Sequence, residues 1–427
     1  MEHYLNYEGG RINFLIPSSW NVLTCQDCTA VPIAEDVEKE IDRALDNPVG
    51  APRLEELARP GMKAVVLFDD IQRPTPAHLA FPHILDRLNR GGIPDEAISG
   101  VCALGTHPKL SREQLEIKVG KETFYRLRDR IYNHDPHSDE NILIGRTNRG
   151  IIVEVNKLVA QADLVVGIGE CMPHPYSGFG GGCKIIQPGV SSYRAVADHH
   201  YTWMRHQHAR LNLLRGNPFY EDIVDAARLG GLAFKLDFVM SEKGEVIRAF
   251  AGDPVEEHWA ASEYGASLYL VPLPKWPDVI ITSAAPLEIG VNSVKALLNA
   301  SFGLKAGGTL IWVASQKNAG SIMPLIEQMA IAESANNYHK RLIRGDIPDH
   351  LKAFGISFIM MVVAFKELSE KFNVVHVTEG LTKKQVEMMG FTYASGLDGA
   401  IQETFRRMPQ ADVAIFPSGG AIIPSVQ

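Results

Sequence analysis

The feature that most constrains the fold is an alternation of short apolar runs with helix-like segments. The runs 64–68, 98–103 and 164–168 have the length and the aliphatic, β-branched content of buried strands, and residues 153–162 show a helical pattern. Each run is followed by a loop rich in Gly, Pro or polar residues. This alternation predicts an α/β fold with an at least partly parallel sheet. Ligands bind at the carboxyl ends of strands in such sheets, so these loops are the first candidates for a functional site.

A second series of such patterns begins after residue 266. Its strand-like runs are 278–282, 309–314, 374–377 and 413–416, and its helix pattern is 293–300. A chain of 427 residues also exceeds one ordinary domain of roughly 150 residues. We therefore predict two α/β lobes, over residues 1–266 and 267–427, with a cleft between them as the default ligand site. The segment 270–277 holds three prolines and predicts a crossing between the lobes.

Composition excludes several classes of protein. The formal net charge is −8, which argues against a nucleic-acid partner. The longest strongly apolar run, 356–365, is about half the length of a membrane helix, and the N-terminus has no signal-peptide pattern. Five cysteines argue against a disulfide framework, and the Cys25/Cys28 pair lacks the second pair that a zinc site needs. These features predict a cytoplasmic protein without a membrane partner, and they leave the oligomeric state and the role of the cysteine pair open.

A glycine-rich loop over residues 178–184, with sequence GFGGGCK, is the most distinctive motif. Four glycines in five positions let the backbone approach a ligand closely and direct Lys184 towards it, although a tight turn alone would also need glycine. The loop is not a Walker A motif, because Ile185 follows the lysine. His174 lies shortly before it and is a candidate for acid–base chemistry.

Two further loops carry candidate residues. Gly105 and Thr106 precede His107, and their backbone and hydroxyl groups suit an anion such as phosphate. Ser111 with Gln114 fits a capping box that starts the next helix.

The turn DDIQRPTP, residues 69–76, places Arg73 after the first strong strand. There Arg73 serves either as a clamp for a carboxylate or phosphate or as an ion-pair partner that fixes the turn. A group of four histidines, either a metal site or residues scattered on a helix face, comprises His199, His200, His206 and His208.

In this order the motifs resemble the nickel-pincer lactate racemase family of 2-hydroxyacid racemases and epimerases. The matching stretches are 69–76, 103–115, 133–135, 174–189 and the region of His200, and Asn292–Lys295 resembles the family's Gln-x-x-Lys. The resemblance implies a cofactor, the nickel-pincer nucleotide, in which a pyridinium mononucleotide holds nickel through thioamide and thiocarboxylate arms. The 1–266 domain would then be the cofactor-binding and catalytic domain.

The resemblance also assigns roles to individual residues. Lys184 matches the lysine of the thioamide link, and His200, sixteen residues later, matches the nickel ligand. His107 and His174 match the paired catalytic histidines, which would take the hydroxyl proton on either face while hydride passes transiently to the cofactor. The further residues expected at the cofactor are Asp70, Gly105, Thr106, Gly180 and Gly181. The residues expected at the substrate are Arg73, Lys295, Gln72 and Asn292.

Departures from the family pattern fall near the substrate residues. Gln72 stands where the family usually has Thr, and Asn292 stands where it has Gln. Cys183 replaces a common Ala, and no Trp follows Trp312, so that Phe358 is the aromatic residue of that region. We therefore predict that the protein racemises or epimerises a small-molecule 2-hydroxy acid other than lactate. This acid would be longer or more polar than lactate, such as a sugar acid.

Two other functions remain compatible with the motifs. One is a lyase or hydrolase that uses the histidine cluster with a simple divalent metal ion. The other is a non-catalytic protein that binds the cofactor for storage or delivery. The first predicts activity with added zinc or manganese, and the second predicts cofactor binding without exchange of the substrate C2 hydrogen.

Overall fold

The computed structural model describes residues 2–27, 31–241, 243–286, 288, 293–317, 323–352 and 354–427. The chain forms two compact units. The first, which we call the motif unit, comprises Val31–Met172 and Tyr176–Gly265. The second, the terminal unit, comprises Ala266–Gln427, the described part of the first 30 residues and Pro173–Pro175.

The strands of the described chain are short, as expected for an α/β protein. In chain order they are β1 (Glu2–Tyr7), β2 (Gly10–Leu15), β3 (Asn21–Cys25), β4 (Ala64–Phe68), β5 (Ile98–Cys102), β6 (Ile131–Asn133), β7 (Ile142–Arg146), β8 (Ile152–Val155), β9 (Leu164–Glu170), β10 (Pro173–His174), β11 (Gly178–Phe179), β12 (Leu232–Met240), β13 (Val246–Gly252), β14 (Leu270–Leu273), β15 (Val279–Ser283), β16 (Thr309–Val313), β17 (Asn373–Val377), β18 (Thr392–Ala394), β19 (Asp412–Phe416) and β20 (Ile423–Val426).

Helices separate most of these strands. They are α1 (Val37–Asp46), α2 (Leu54–Leu57), α3 (Ala77–Arg90), α4 (Arg112–Val119), α5 (Lys121–Leu127), α6 (Lys157–Ala160), α7 (Tyr193–Trp203), α8 (Pro218–Leu229), α9 (Glu256–Tyr269), α10 (Ser293–Ser301), α11 (Met323–Ile331), α12 (Ala335–Ile343), α13 (Asp349–Lys352), α14 (Ile356–Lys371), α15 (Lys383–Met388) and α16 (Leu397–Arg407). No helix of the described residues is long and apolar enough to span a bilayer.

The motif unit is built on a six-stranded sheet in the order β13-β12-β9-β4-β5-β6. Its strands are parallel except for β13, which pairs antiparallel with β12 at one edge. Every residue of β4 and β9 is buried, and alternate residues of β4 pack into hydrophobic clusters on opposite faces of the sheet. This two-sided burial explains their uninterrupted apolar sequences. The chain runs outward from β4 in one direction and from β9 in the other, so the strand order reverses between these two strands.

The terminal unit has a second six-stranded sheet, parallel throughout, in the order β18-β17-β16-β15-β19-β3. Here the strand order reverses between β15 and β19, and α10 follows β15. The predicted boundary at residue 266 assigns the first residues to the N-terminal domain. In the structure they lie with the terminal unit, because β3 pairs with β19 as its edge strand.

The predicted α/β class is confirmed, and most predicted elements lie within a residue or two of the observed ones. Two local predictions were wrong. Residues 153–162 are not one helix, because the β-branched segment Ile152–Val155 forms β8 against β7, and only Lys157–Ala160 is helical. Segment 270–277 is not simply a crossing, because Leu270–Leu273 forms β14 and pairs with β20, with Val271 and Leu273 buried and Pro272 exposed.

Candidate active site

The candidate site of the motif unit lies where its strand order reverses. The turn 69–76 follows β4, and Glu170 ends the adjacent β9, so both lie at carboxyl ends of neighbouring strands. Arg73 Nη1 lies 3.3 Å from Glu170 Oε1, and Glu170 is only 5% exposed. Sequence reasoning found Arg73 but missed Glu170. The signal was present, because Glu170 follows an apolar run just as Asp70 does.

Lys118, on α4, holds the turn that carries Arg73. Its ammonium donates to the carbonyl oxygens of Arg73 and Thr75, both at 3.1 Å, and lies 2.8 Å from Asp69 Oδ1. The predicted capping box at Ser111 is present and starts this helix. The turn is therefore fixed by a lysine–aspartate pair, while the Arg73 guanidinium faces Glu170.

Asp70 and His107, which the sequence named in separate motifs, are in direct contact. His107 Nδ1 lies 2.7 Å from Asp70 Oδ2, and the Gln72 backbone N–H donates to Asp70 Oδ1 at 2.8 Å. Burial alone raises the pKa of Asp70, but the His107 hydrogen bond and the charges of His107 and Arg73 outweigh it and lower that pKa below its usual value. An ionised carboxylate only accepts, so His107 Nδ1 is the donor of this bond, and Nε2 is the ring atom left to exchange a proton with a ligand.

Hydrogen bonds between backbone groups hold the segment before His107 in place. Gly105 adopts a φ of +58°, and its N–H donates to the Gly189 carbonyl at 2.8 Å. The His107 N–H donates to Leu104 O at 3.0 Å. The contact with Gly189 links this loop to the segment that follows Lys184. Binding of an anion by Gly105 and Thr106 remains a prediction.

The glycines of the 178–184 loop do not all have the same reason to be glycine. Gly181 and Gly182 have φ values of +90° and +52°. A Cβ on Gly182 would lie 2.5 Å from His258 Cγ, and one on Gly181 would lie 2.7 Å from Asp237 Oδ2. Packing within the protein therefore requires glycine at both positions. A Cβ on Gly180 would meet only the Met172 carbonyl, at 3.7 Å, so its glycine is not imposed by crowding.

Lys184 and His200 lie against one aromatic ring. The Lys184 Nζ is 5.7 Å from the centroid of the Phe219 ring, and the His200 ring centroid is 4.9 Å from the same centroid. Lys184 also donates to Ser177 Oγ at 3.2 Å. Burial, helped by the charge of Arg73, lowers the pKa of Lys184 to about 7. A lowered pKa of this kind gives the amine a much larger neutral fraction at neutral pH than an ordinary lysine has. Phe219 had no sequence signal, since it reads as an ordinary core aromatic of α8.

His199 sets the tautomer of His200. His199 Nε2 lies 2.9 Å from the Phe219 carbonyl oxygen, which only accepts, so Nε2 carries the proton. His199 Nδ1 is then the acceptor of the 3.0 Å contact with His200 Nδ1. The ring proton of His200 therefore lies on Nδ1, and Nε2 keeps its lone pair. Burial lowers the pKa of His199 to about 3 and that of His200 well below its ordinary value, so both rings are neutral.

The other two histidines of the cluster have different neighbours. His206 and His208 contact each other with ring centroids 5.5 Å apart, and His206 also contacts the Trp203 ring. His208 Nδ1 donates to the Gly216 carbonyl at 3.1 Å. Within the described ranges, no group of three or more His, Cys, Asp or Glu side chains is placed to hold a metal ion.

The remaining predicted residues are placed as follows. His174 is part-buried in β10 and belongs to the terminal unit. Lys295 is the third residue of α10, the helix that follows β15. Asn292 and Cys28 lie outside the described residues, and Cys25 is an exposed free thiol. The predicted pairing of His174 with His107, and of Lys295 with Arg73, stays a prediction.

Comparison with known proteins points to one family. A family model, the lactate racemase N-terminal domain, matches residues 7–212. The lactate racemase of Lactiplantibacillus plantarum is 29% identical over 391 residues, which are 90% of each chain. The lactate racemase of Thermoanaerobacterium thermosaccharolyticum is 32% identical over 282 residues, and this match covers 65% of this chain and 65% of that protein.

Solved structures agree with the sequence matches. The lactate racemase apoprotein from Thermoanaerobacterium thermosaccharolyticum has a TM-score of 0.86 at 25% identity, with 100% of both chains covered. A crystal structure of a protein from Thermotoga maritima has a TM-score of 0.66 at 19% identity, covering 93% of this chain and 100% of that one. At that identity the second likeness concerns the fold alone.

A fold shared along the whole chain, together with relatives of one activity, defines the class: the protein is an isomerase of the racemase type. Over nearly its whole length the chain is similar to lactate racemases, in sequence and in fold. The resemblance and the enzyme class inferred from the sequence motifs are thus confirmed.

Proposed function

We propose that the protein is a cytoplasmic racemase or epimerase that inverts C2 of a 2-hydroxy acid other than lactate, with a nickel-pincer nucleotide linked to Lys184 as its cofactor. The observation that carries the proposal is the placement of Lys184 and His200 against the Phe219 ring. The amine has the neutral fraction needed to form a thioamide, and the imidazole has Nε2 available to ligate nickel.

The described residues fit this cofactor. His200 is a neutral imidazole oriented by a hydrogen bond from its other nitrogen, which is the usual arrangement of a metal-bound histidine. His199 is the acceptor of that bond and is itself held by the Phe219 carbonyl. Lys184 and His200 would hold the group, and Gly180 has room on the side where a Cβ would project. When bound, the nickel-pincer nucleotide supplies the acceptor for the C2 hydride.

His107 is suited to take the hydroxyl proton from the substrate. Its Nδ1 donates to Asp70, so Nε2 is the basic atom, and the ionised carboxylate stabilises the imidazolium that forms. The arrangement follows the logic of a carboxylate-oriented histidine base. His174 would perform the same step on the opposite face for the other enantiomer, because inversion of one carbon requires a base on each side.

Arg73 is suited to bind the substrate carboxylate. A planar guanidinium binds a carboxylate through two parallel hydrogen bonds. In the structure Arg73 contacts Glu170 at 3.3 Å and compensates the charge of that buried carboxylate. Lys295 would contribute a second cation. A carboxylate held in this way leaves a planar 2-oxo acid free to present either face.

The identity of residues around Arg73 supports a substrate other than lactate. Gln72 has an exposed side chain beside Arg73, where the family usually has a smaller Thr. Its amide offers both a donor and an acceptor, which suits a substrate with further hydroxyl groups. Asn292, which lies outside the described residues, and Phe358 are the other departures of the sequence from the family pattern. A longer, polyhydroxylated 2-hydroxy acid fits these features.

The contacts of the histidines favour this proposal over a simple metal lyase or hydrolase. Both ring nitrogens of His199 take part in hydrogen bonds, and the contacts of His206 and His208 are with each other and their local segment. A storage or delivery protein has no use for the Asp70–His107 pair.

The proposal is tested on protein made in a host that synthesises the nickel-pincer nucleotide. Native mass spectrometry is expected to show an adduct of nickel plus nucleotide in the wild type. The Lys184→Ala variant should lose the covalent adduct, and His200→Ala should retain the nucleotide but lose nickel. A bare polypeptide mass in the wild type would overturn the cofactor assignment.

Substrate class is tested with the loaded enzyme. A panel of 2-hydroxy acids, from lactate to five- and six-carbon sugar acids, is incubated with each pure enantiomer or epimer and analysed by chiral chromatography. We expect kcat/KM to be higher for the polar, longer acids. Racemisation of lactate as fast as that of every longer acid would refute the substrate assignment while leaving the cofactor assignment intact.

A further inference from the structure

A buried polar cluster lies directly beneath the glycine-rich loop. We call it the loop clamp and define it as Lys235, Asp237, His258 and Tyr220, none of which is more than 2% exposed. The Gly182 N–H donates to Asp237 Oδ2 at 2.5 Å, and Lys235 forms an ion pair with the other oxygen of the same carboxylate. The buried Asp237 carboxylate is therefore a charged hydrogen-bond acceptor that fixes one side of the loop.

His258 ties the other side of the loop. Its Nε2 lies 2.9 Å from the Gly180 carbonyl oxygen, which only accepts, so Nε2 is the donor. Its Nδ1 then accepts from the Tyr220 hydroxyl at 3.2 Å. Burial lowers the pKa of His258, in agreement with a neutral ring that donates from one nitrogen and accepts at the other.

These contacts fix the backbone from Gly180 to Gly182, which lies just before Lys184. The clamp holds a carbonyl at Gly180 and an N–H at Gly182, and the His258 ring occupies the place of a Cβ on Gly182. The Lys184 N–H donates to the Gly181 carbonyl at 3.1 Å, so the clamped backbone continues into the short turn that carries the lysine.

Stability alone does not explain a cluster of this kind. A buried lysine–aspartate pair gains little or nothing over apolar residues of similar volume, because desolvation offsets the attraction between the charges. The clamp does provide two directed hydrogen bonds to a loop whose glycines otherwise allow many conformations. Directed bonds matter where one side chain must meet its reaction partner in one geometry.

We propose that His258 and Asp237 are positioning residues that hold the glycine-rich loop in the one conformation in which Lys184 accepts its cofactor. This inference rests on the proposed function, because Lys184 is the attachment residue only there. Each residue acts on Lys184 through the loop backbone, by its hydrogen bond to Gly182 or to Gly180.

The test compares three variants in the host that makes the cofactor. His258→Met removes the bond to Gly180 and keeps an apolar side chain of similar reach. His258→Gln retains an N–H that reaches the Gly180 carbonyl. His376→Met is the matched control, since His376 is also fully buried but lies in β17 of the terminal unit. The readouts are the loaded fraction by native mass spectrometry and hydrogen exchange of the peptide over residues 176–186 in cofactor-free protein.

We expect His258→Met to load about tenfold less than wild type, the scale of one lost hydrogen bond, and to exchange faster within that peptide. His258→Gln should recover both, and His376→Met should change neither. Wild-type loading and exchange in His258→Met, or equal losses in His258→Met and His376→Met, would overturn the clamp. If wild type itself fails to load, the proposed function fails, and unchanged exchange in His258→Met would still refute the clamp separately.

Discussion

Replacing Asp70 by asparagine tests the assignment of His107 as the base. The variant keeps the shape of the side chain but removes the charge that faces His107 Nδ1 at 2.7 Å. A hydrogen bond to a charged group contributes about 1.5–3 kcal/mol. At about 1.36 kcal/mol for each tenfold change in rate, loss of that bond to the imidazolium slows the reaction by roughly 10- to 150-fold.

A second effect adds to the first. The carboxamide of Asp70→Asn can donate to His107 Nδ1, which moves the ring proton to Nε2 and removes the basic atom. General-base catalysis contributes about 10²–10⁴ in rate, so we expect kcat to fall within that range. The assay is interconversion of enantiomers by chiral chromatography, with rates expressed per loaded site from native mass spectrometry.

The matched control is Asp349→Asn. Asp349 lies 2.7 Å from Lys352, the same distance as in the Asp70–His107 pair, but its side chain is 95% exposed. We expect this variant to keep the wild-type rate. If Asp70→Asn stayed within about threefold of wild type at equal loading, His107 would not be a base oriented by Asp70.

Three further predictions concern ionisation and ligand orientation. Because the pKa of Lys184 is lowered to about 7, its acylation in cofactor-free protein should have a midpoint near pH 7, and a midpoint near pH 10 by mass spectrometry would contradict this. His199→Phe should weaken nickel retention about tenfold, because it removes one of the two groups that orient the His200 ring and leaves only the Val196 backbone, while His206→Phe should not, as measured by metal analysis of loaded protein. Burial, reinforced by Asp237, raises the pKa of Glu257 in the folded protein. The free energy of unfolding is therefore highest below the pKa that Glu257 has in the unfolded chain, and it decreases as the pH rises towards the folded-state pKa. Glu257→Gln should therefore raise Tm at pH 8 but not at pH 4, and an equal change at both would refute the reasoning.

The strands and their loops were predictable because burial on both faces leaves an unbroken apolar run. The run 64–68 matches β4 residue for residue. The prediction of one helix over residues 153–162 was wrong because apolar residues at helical spacing also fit a short strand followed by one helical turn. The side chain of Asn156, which caps that turn by accepting from the Leu158 N–H, marks where the strand ends.

The site was predictable as a set of motifs but not as a set of contacts. Asp70 and His107 are 37 residues apart, and only the adjacency of β4 and β5 brings their loops together. His258 and Phe219 carry no sequence signal, since a buried histidine or aromatic residue on a helix is ordinary core. Their roles depend on which loop packs against them, and that is a property of the tertiary structure.

The hydrogen bond from the Gln72 backbone to Asp70 has a consequence for how such enzymes diversify. Residue 72 contributes to the carboxylate that orients His107 only through its main-chain N–H. Any amino acid except proline supplies that group, so the side chain at this position is free to change with the substrate while the base keeps its orientation. If the proposed function is correct, exchange of residue 72 is therefore a route to new substrate ranges that leaves the orientation of His107 unaltered.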